Sequence, residues 1–113
     1  VALGPRAKLV DFGLAAKRTR QQRVLGGTLS WMAPEMVADT RPSTAADIFS
    51  FGRICYFVFT ARSPMDGMSR SAIVKALRHR SLPAAVWPEG DIPSPAFRSL
   101  VEMCMSTEAS ERP

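Results

Sequence analysis

Asp11-Phe12-Gly13-Leu14-Ala15 opens the stretch that decides how this chain is read, and Gly27-Thr28-Leu29-Ser30-Trp31-Met32-Ala33-Pro34-Glu35 closes it. Between the two lies a polar, basic run, Lys17-Arg18-Thr19-Arg20-Gln21-Gln22-Arg23. Residues 14–26 hold no sustained periodicity and lead into a Gly-Gly pair, so they read as a loop. Upstream, Val1 to Leu3 and Ala7 to Val10 are short apolar runs around Gly4-Pro5-Arg6, the pattern of a hairpin whose strands deliver Asp11. Downstream, Glu35 to Ala38 reads as one helical turn, which Thr40-Arg41-Pro42 breaks.

The strongest helix follows. Ser43 or Thr44 can cap its start, and Asp47 in its first turn complements the helix dipole. Ile48, Phe49, Phe51, Ile54, Cys55, Tyr56, Phe57, Val58 and Phe59 then cover almost every face, the mark of a buried helix. Ser50, Gly52 and Arg53 interrupt the run, which also falls short of the roughly 20 apolar residues that a bilayer requires. Arg53 must find a carboxylate or reach solvent. After a loop at Ala61 to Gly67, helical pattern resumes from Arg70 to His79 with Ile73, Val74 and Leu77 on one face. Pro83, Pro88, Pro93 and Pro95 exclude a regular element until Ser94-Pro95 starts a last helix. There Phe97, Leu100, Val101 and Cys104 recur at the spacing of a core-facing stripe.

Asp11-Phe12-Gly13, Ala33-Pro34-Glu35 and Asp47-Ile48-Phe49-Ser50-Phe51-Gly52, in this order, resemble the activation segment and the central large-lobe helix of a eukaryotic-type protein kinase domain. Gly27-Thr28 is similar to the serine/threonine class, and Trp31-Met32-Ala33-Pro34-Glu35 to its tyrosine-kinase-like group. Glu111-Arg112-Pro113 resembles the Arg-Pro pair near the end of the large lobe. Three positions depart from the pattern. Arg53 stands where an aliphatic residue is usual, Phe57 where Glu is common, and Met105 where Trp often follows the cysteine.

The resemblance covers residues 1–113 as one partial domain. It implies a mainly α fold, a large-lobe fragment with a short β-hairpin at the N-terminus. No Gly-rich phosphate loop, strand lysine or His-Arg-Asp catalytic loop lies in these residues. The parent protein is expected to transfer the γ-phosphoryl group of Mg-ATP to serine or threonine hydroxyls of a protein substrate. This chain alone is expected to be inactive. The alternative is a non-catalytic module, pseudokinase-type or truncated, that docks a partner through its helical surface. The translated residues before Val1 discriminate the two: His-Arg-Asp, with Asn five residues after its Asp, supports the enzyme.

The resemblance also assigns roles. Asp11 is the expected magnesium ligand and, through the metal, the contact to ATP; Mg²⁺ prefers hard oxygen donors. Phe12 is expected to pack into the core, and Gly13 to allow Asp11 to turn toward or away from the cleft. Thr28 is expected to act in catalysis by bonding to the catalytic loop. Thr19, Thr28 and Ser30 are candidate phosphorylation sites, Thr19 because four cationic side chains surround it in sequence. Asp47 is expected to accept backbone hydrogen bonds from the catalytic loop. Glu35 and Arg112 are expected to form a buried ion pair within about 4 Å. Because the small lobe and catalytic loop would cover part of the central helix, an exposed apolar patch is expected on this chain.

Composition limits the remaining classes. The chain has 113 residues, 46 % of them apolar, with 15 Lys and Arg against 10 Asp and Glu. The basic residues fall in two solvated stretches without interleaved aromatics, so nucleic acid is not an expected partner, and neither is a membrane. Cys55 and Cys104 sit in apolar runs, which suits reduced, buried thiols rather than a disulfide or metal site. That points to an intracellular, cytoplasmic setting. Oligomeric state is not legible.

Overall fold

A computed structural model describes residues 4–13, 15, 28–38, 41–90 and 94–113. Four α-helices form in these segments: α1 (Glu35–Ala38), α2 (Thr44–Thr60), α3 (Arg70–Arg78) and α4 (Pro95–Cys104). Short 3-10 turns lie at Leu29–Trp31 and Ala109–Glu111. The architecture is mainly α, and no strand occurs among the described residues.

The expected N-terminal hairpin is therefore not seen. Its first limb, residues 1–3, lies outside the described residues. Its second limb makes no ladder hydrogen bond among them, and Leu9 and Val10 are exposed. Alternating polarity favours a strand only when a second strand and an apolar layer lie beside it.

The helix starts follow from local chemistry. Ser43 Oγ accepts the N–H of Ala46 at 3.0 Å, Ser69 Oγ that of Ala72 at 3.2 Å, and Ser94 Oγ that of Phe97 at 3.3 Å. Each satisfies one orphan donor of a first turn. Helix α2 ends at Ala61, which takes the left-handed conformation (φ 53°) and donates its N–H to the Phe57 carbonyl at 2.7 Å.

Packing divides into two small cores. Ala33, Ala46 and Phe49 form one, with Met36, Leu82 and Met105 against it. Met65, Ile73 and Leu77 form the other, with Leu29, Val37, Met68 and Leu82 around it. Leu82 belongs to both and joins them. Helix α4 crosses α2 at Gly52, where an added Cβ would lie 2.7 Å from the Cys104 Cβ.

Helix α2 is covered on one side only. Phe49, Gly52 and Arg53 are buried, while Phe51, Ile54 and Val58 are exposed on a stripe at i, i+3, i+7. The expectation of a helix buried all round is corrected for the described residues, and the expected apolar patch is this stripe. Periodicity reports how many faces are apolar, but only neighbouring elements cover them. The stripe read on α4 is likewise corrected at Leu100, which is half-exposed, whereas Val101 and Cys104 are buried. Phe97 packs edge-on against Phe59 with ring centroids 4.6 Å apart.

Candidate functional site

The stretch from Thr28 to Glu35 is held against the rest of the chain at four points. The Ser50 hydroxyl lies 2.9 Å from the Trp31 carbonyl and 3.2 Å from that of Ala46, its single hydrogen shared between them. Arg53 Nη1 donates to the Ser30 carbonyl. Trp31 meets the Phe57 ring edge-on at a centroid distance of 5.8 Å. Two α2 side chains thus grip backbone carbonyls of the 3-10 turn, and Phe57, where glutamate is common in the resemblance, supplies an aromatic contact.

Neither outcome expected for Arg53 occurs. It is 5 % exposed and reaches no carboxylate among the described residues. It bonds to a main-chain oxygen, and its guanidinium lies 4.7 Å from the centroid of the Phe49 ring. A carbonyl dipole and a π-face replace part of the lost hydration. Burial pulls its pKa down to about 10.

The fourth anchor is ionic. Arg112 Nη1 donates to Glu35 Oε1 at 2.6 Å and Nη2 to Oε2 at 2.9 Å, a two-pronged grip across 77 positions of sequence. Its other donors reach the carbonyls of Ala45 at 2.8 Å, Ser106 at 2.9 Å and Thr107 at 3.5 Å. The Arg112 guanidinium also lies over the Phe49 ring, 4.9 Å from its centroid. Burial raises the Glu35 pKa, but the bond to Arg112 and its positive charge outweigh that and hold it below the ordinary carboxylate value.

The remaining candidates lie more openly. Asp11 is exposed with φ 65°, and its Oδ1 accepts the Gly13 N–H at 3.2 Å, a short local turn. Phe12 is 68 % exposed, so the expected packing into a core does not occur. Thr28 is exposed; its carbonyl accepts the Trp31 N–H at 2.9 Å, but its hydroxyl caps nothing. Ser30 is half-buried. Asp47 is exposed in the first turn of α2, where it complements the helix dipole. Thr19 and Gly27 lie outside the described residues. Among the described residues no contact joins Asp11 to Thr28, whereas Ser30 is tied to α2 through Arg53, and Glu35 through Arg112.

The donor set suits magnesium only in part. One Asp11 oxygen is committed to Gly13 and the carboxylate is otherwise accessible, as a single Mg²⁺ ligand requires. Among the described residues no group of three or more His, Cys, Asp or Glu could hold a metal ion. No helix among them is long and apolar enough to cross a membrane. Both cysteines are free, and burial raises the pKa of each thiol.

Sequence reasoning missed Ser50 and the carbonyl partner of Arg53. Polar residues inside an apolar helix are the available signal, since a buried hydroxyl or guanidinium must find an acceptor.

Comparison with known proteins agrees with this arrangement. The protein kinase domain model matches residues 4–113. The serine/threonine/tyrosine-protein kinase HT1 of Arabidopsis thaliana is 32 % identical, over 96 % of this chain and 27 % of its own length. The human mitogen-activated protein kinase kinase kinase 7 is 33 % identical, over 100 % of this chain and 18 % of its own. The probable serine/threonine-protein kinase drkD of Dictyostelium discoideum is 28 % identical, over 94 % of this chain and 8 % of its own. The chain therefore spans little more than a quarter of the relative it covers most fully.

Proposed function

Because the chain belongs to the protein kinase domain family, we propose that residues 1–113 are the large-lobe part of a serine/threonine kinase that carries a metal-binding carboxylate and a substrate-docking segment. The protein containing it transfers the γ-phosphoryl group of ATP to serine or threonine hydroxyls of a protein substrate. The observation that carries this reading is the anchoring of residues 28–35. Ser50, Arg53 and Arg112 hold its backbone and its closing carboxylate, while the Thr28 side chain stays free at the surface.

Each residue's contribution follows from its chemistry. Asp11 would supply one hard oxygen ligand to a magnesium ion, whose charge would offset that of the phosphates. Phe12 and the permissive Gly13 set which way that carboxylate faces. Thr28 offers a hydroxyl that orients catalytic groups, and the Gly-Thr pair supports a Ser/Thr acceptor. Thr19, and less so Thr28 and Ser30, are sites where phosphate would meet neighbouring guanidinium groups.

One carboxylate leaves most of the charge of a nucleotide triphosphate unmatched, so this chain by itself neither binds nor turns over Mg-ATP. Calorimetry on the purified chain tests this. No binding heat is expected, and micromolar affinity abolished by Asp11→Ala would refute it. Acceptor class is tested on the protein containing the chain: its phosphorylated products should yield phosphoserine and phosphothreonine, and phosphotyrosine alone would overturn the assignment.

A further inference from the structure

A cavity of about 620 Å³ opens between α2, the loop that follows it, residues 82–86 and the end of α4. Nothing in the phosphoryl-transfer reading uses it. Its volume lies within the range of small-molecule sites, roughly 300–1,000 Å³. Met65, Met68, Leu82, Val86 and Met105 supply apolar walls. The Tyr56 hydroxyl stiffens one wall by donating to the Val86 carbonyl at 2.9 Å and accepting the Val86 N–H at 3.3 Å.

Arg53 also lines this cavity. Among the described residues the acceptor of its guanidinium is the Ser30 carbonyl, bonded to Nη1. No buried side-chain nitrogen or oxygen is left without a partner among the described residues. No remaining Arg53 donor is therefore fully buried without a partner, and the open space that this residue lines is the cavity. A guanidinium has five donors in a planar fork and stays charged when desolvated, the geometry that grips a carboxylate. The other charged groups do not take this role. Glu102 accepts the Trp87 indole N–H at 2.7 Å, and Arg62 and Asp66 are exposed at the mouth.

We propose that this cavity binds an amphipathic monocarboxylate, with its carboxylate on the free donors of Arg53 and its hydrocarbon body against the methionine-rich wall. An ion pair made at a buried guanidinium is shielded from water, and burial has already depressed the Arg53 pKa, so a bound anion offsets an existing desolvation cost. Methionine side chains adapt to the shape of an aliphatic or aromatic body without specifying it.

The chain contains six methionines, which make the test direct. Met65, Met68 and Met105 line the cavity, whereas Met32, Met36 and the exposed Met103 do not. Methyl-labelled methionine spectra of the 113-residue chain are recorded during titration with sodium decanoate, and separately with decanol and decylamine. Decanoate should shift the three lining methyl groups and bind about tenfold or more tighter than decanol, as a hydrogen-bonded charge implies. Arg53→Leu should abolish that preference while leaving decanol affinity unchanged, and Arg53→Lys should retain part of it. Equal binding of decanoate and decanol to the unaltered chain, which needs no variant to fold, would overturn the proposal. So would parallel shifts of Met103, which would mean adsorption to the surface, or an unchanged preference in Arg53→Leu.

Discussion

Replacing Glu35 by Gln tests the contact that ties residues 28–35 to the far end of the chain. The Arg112 side chain is 0 % exposed and that of Glu35 is 23 % exposed, so the cation cannot recover hydration whereas the anion can. Breaking a buried ion pair by removing one partner costs about 3–5 kcal/mol. Glu35→Gln removes the charge but keeps the shape, and three carbonyls still accept from Arg112. The loss should therefore sit below that range, at about 2 kcal/mol. Arg112→Met removes the donors of those three carbonyls as well as the partner of Glu35, and should cost about 3–5 kcal/mol. The double variant should cost less than the sum by roughly 1–2 kcal/mol, the signature of coupled groups.

Urea unfolding followed by the fluorescence of Trp31 and Trp87 measures all three variants. The pH dependence supplies a second readout. Glu35 has a folded pKa below its ordinary 4.5, so the unfolded chain binds the proton more readily. Its contribution is present above that ordinary value and is lost as pH falls through the lower folded value. Glu35→Gln should lack this component of acid sensitivity. Losses under about 0.5 kcal/mol for both single variants, the value typical of unconstrained surface sites, would refute the reasoning.

Two exchanges on α2 should act in opposite directions. Gly52→Ala places a Cβ 2.7 Å from Cys104 Cβ and 3.0 Å from Met105 Cγ, and should destabilise by about 1–3 kcal/mol despite better helix propensity. Ala61→Gly relieves a left-handed alanine at φ 53° and should raise the unfolding free energy by about 0.5–1 kcal/mol, seen as a higher urea midpoint. The exposed stripe of Phe51, Ile54 and Val58 should bind a hydrophobic dye, and Ile54→Ser with Val58→Ser should reduce its fluorescence without changing helical circular dichroism. Burial raises the pKa of both Cys55 and Cys104, so alkylation near pH 8 should be slower than for free cysteine, and equal rates would contradict their placement.

Sequence alone determined where helices begin, because capping acts over three residues. Ser94 was legible as a cap, Ser43 as one of two candidates with Thr44, and Glu35–Ala38 as a turn, while the helix read from Arg70 to His79 forms over Arg70–Arg78. The family was legible for another reason: Asp11-Phe12-Gly13, Ala33-Pro34-Glu35 and the α2 start keep their order and spacing. Tertiary structure alone decided which face of α2 is covered. An all-apolar helix has no preferred side until α4 approaches at Gly52, the one position on that face without a Cβ to block it. It also decided the partner of Arg53, since a guanidinium's reach to the Ser30 carbonyl depends on how the 3-10 turn lies across α2. Leu100 obeyed the helical period yet stayed half-exposed, because period places a side chain on a stripe while only a neighbour buries it. The meeting of Glu35 and Arg112 was suggested by resemblance, not by any local rule. It exists because α2 and the chain end bring two groups 77 positions apart into one desolvated site, where the guanidinium groups of Arg53 and Arg112 both lie over the Phe49 ring.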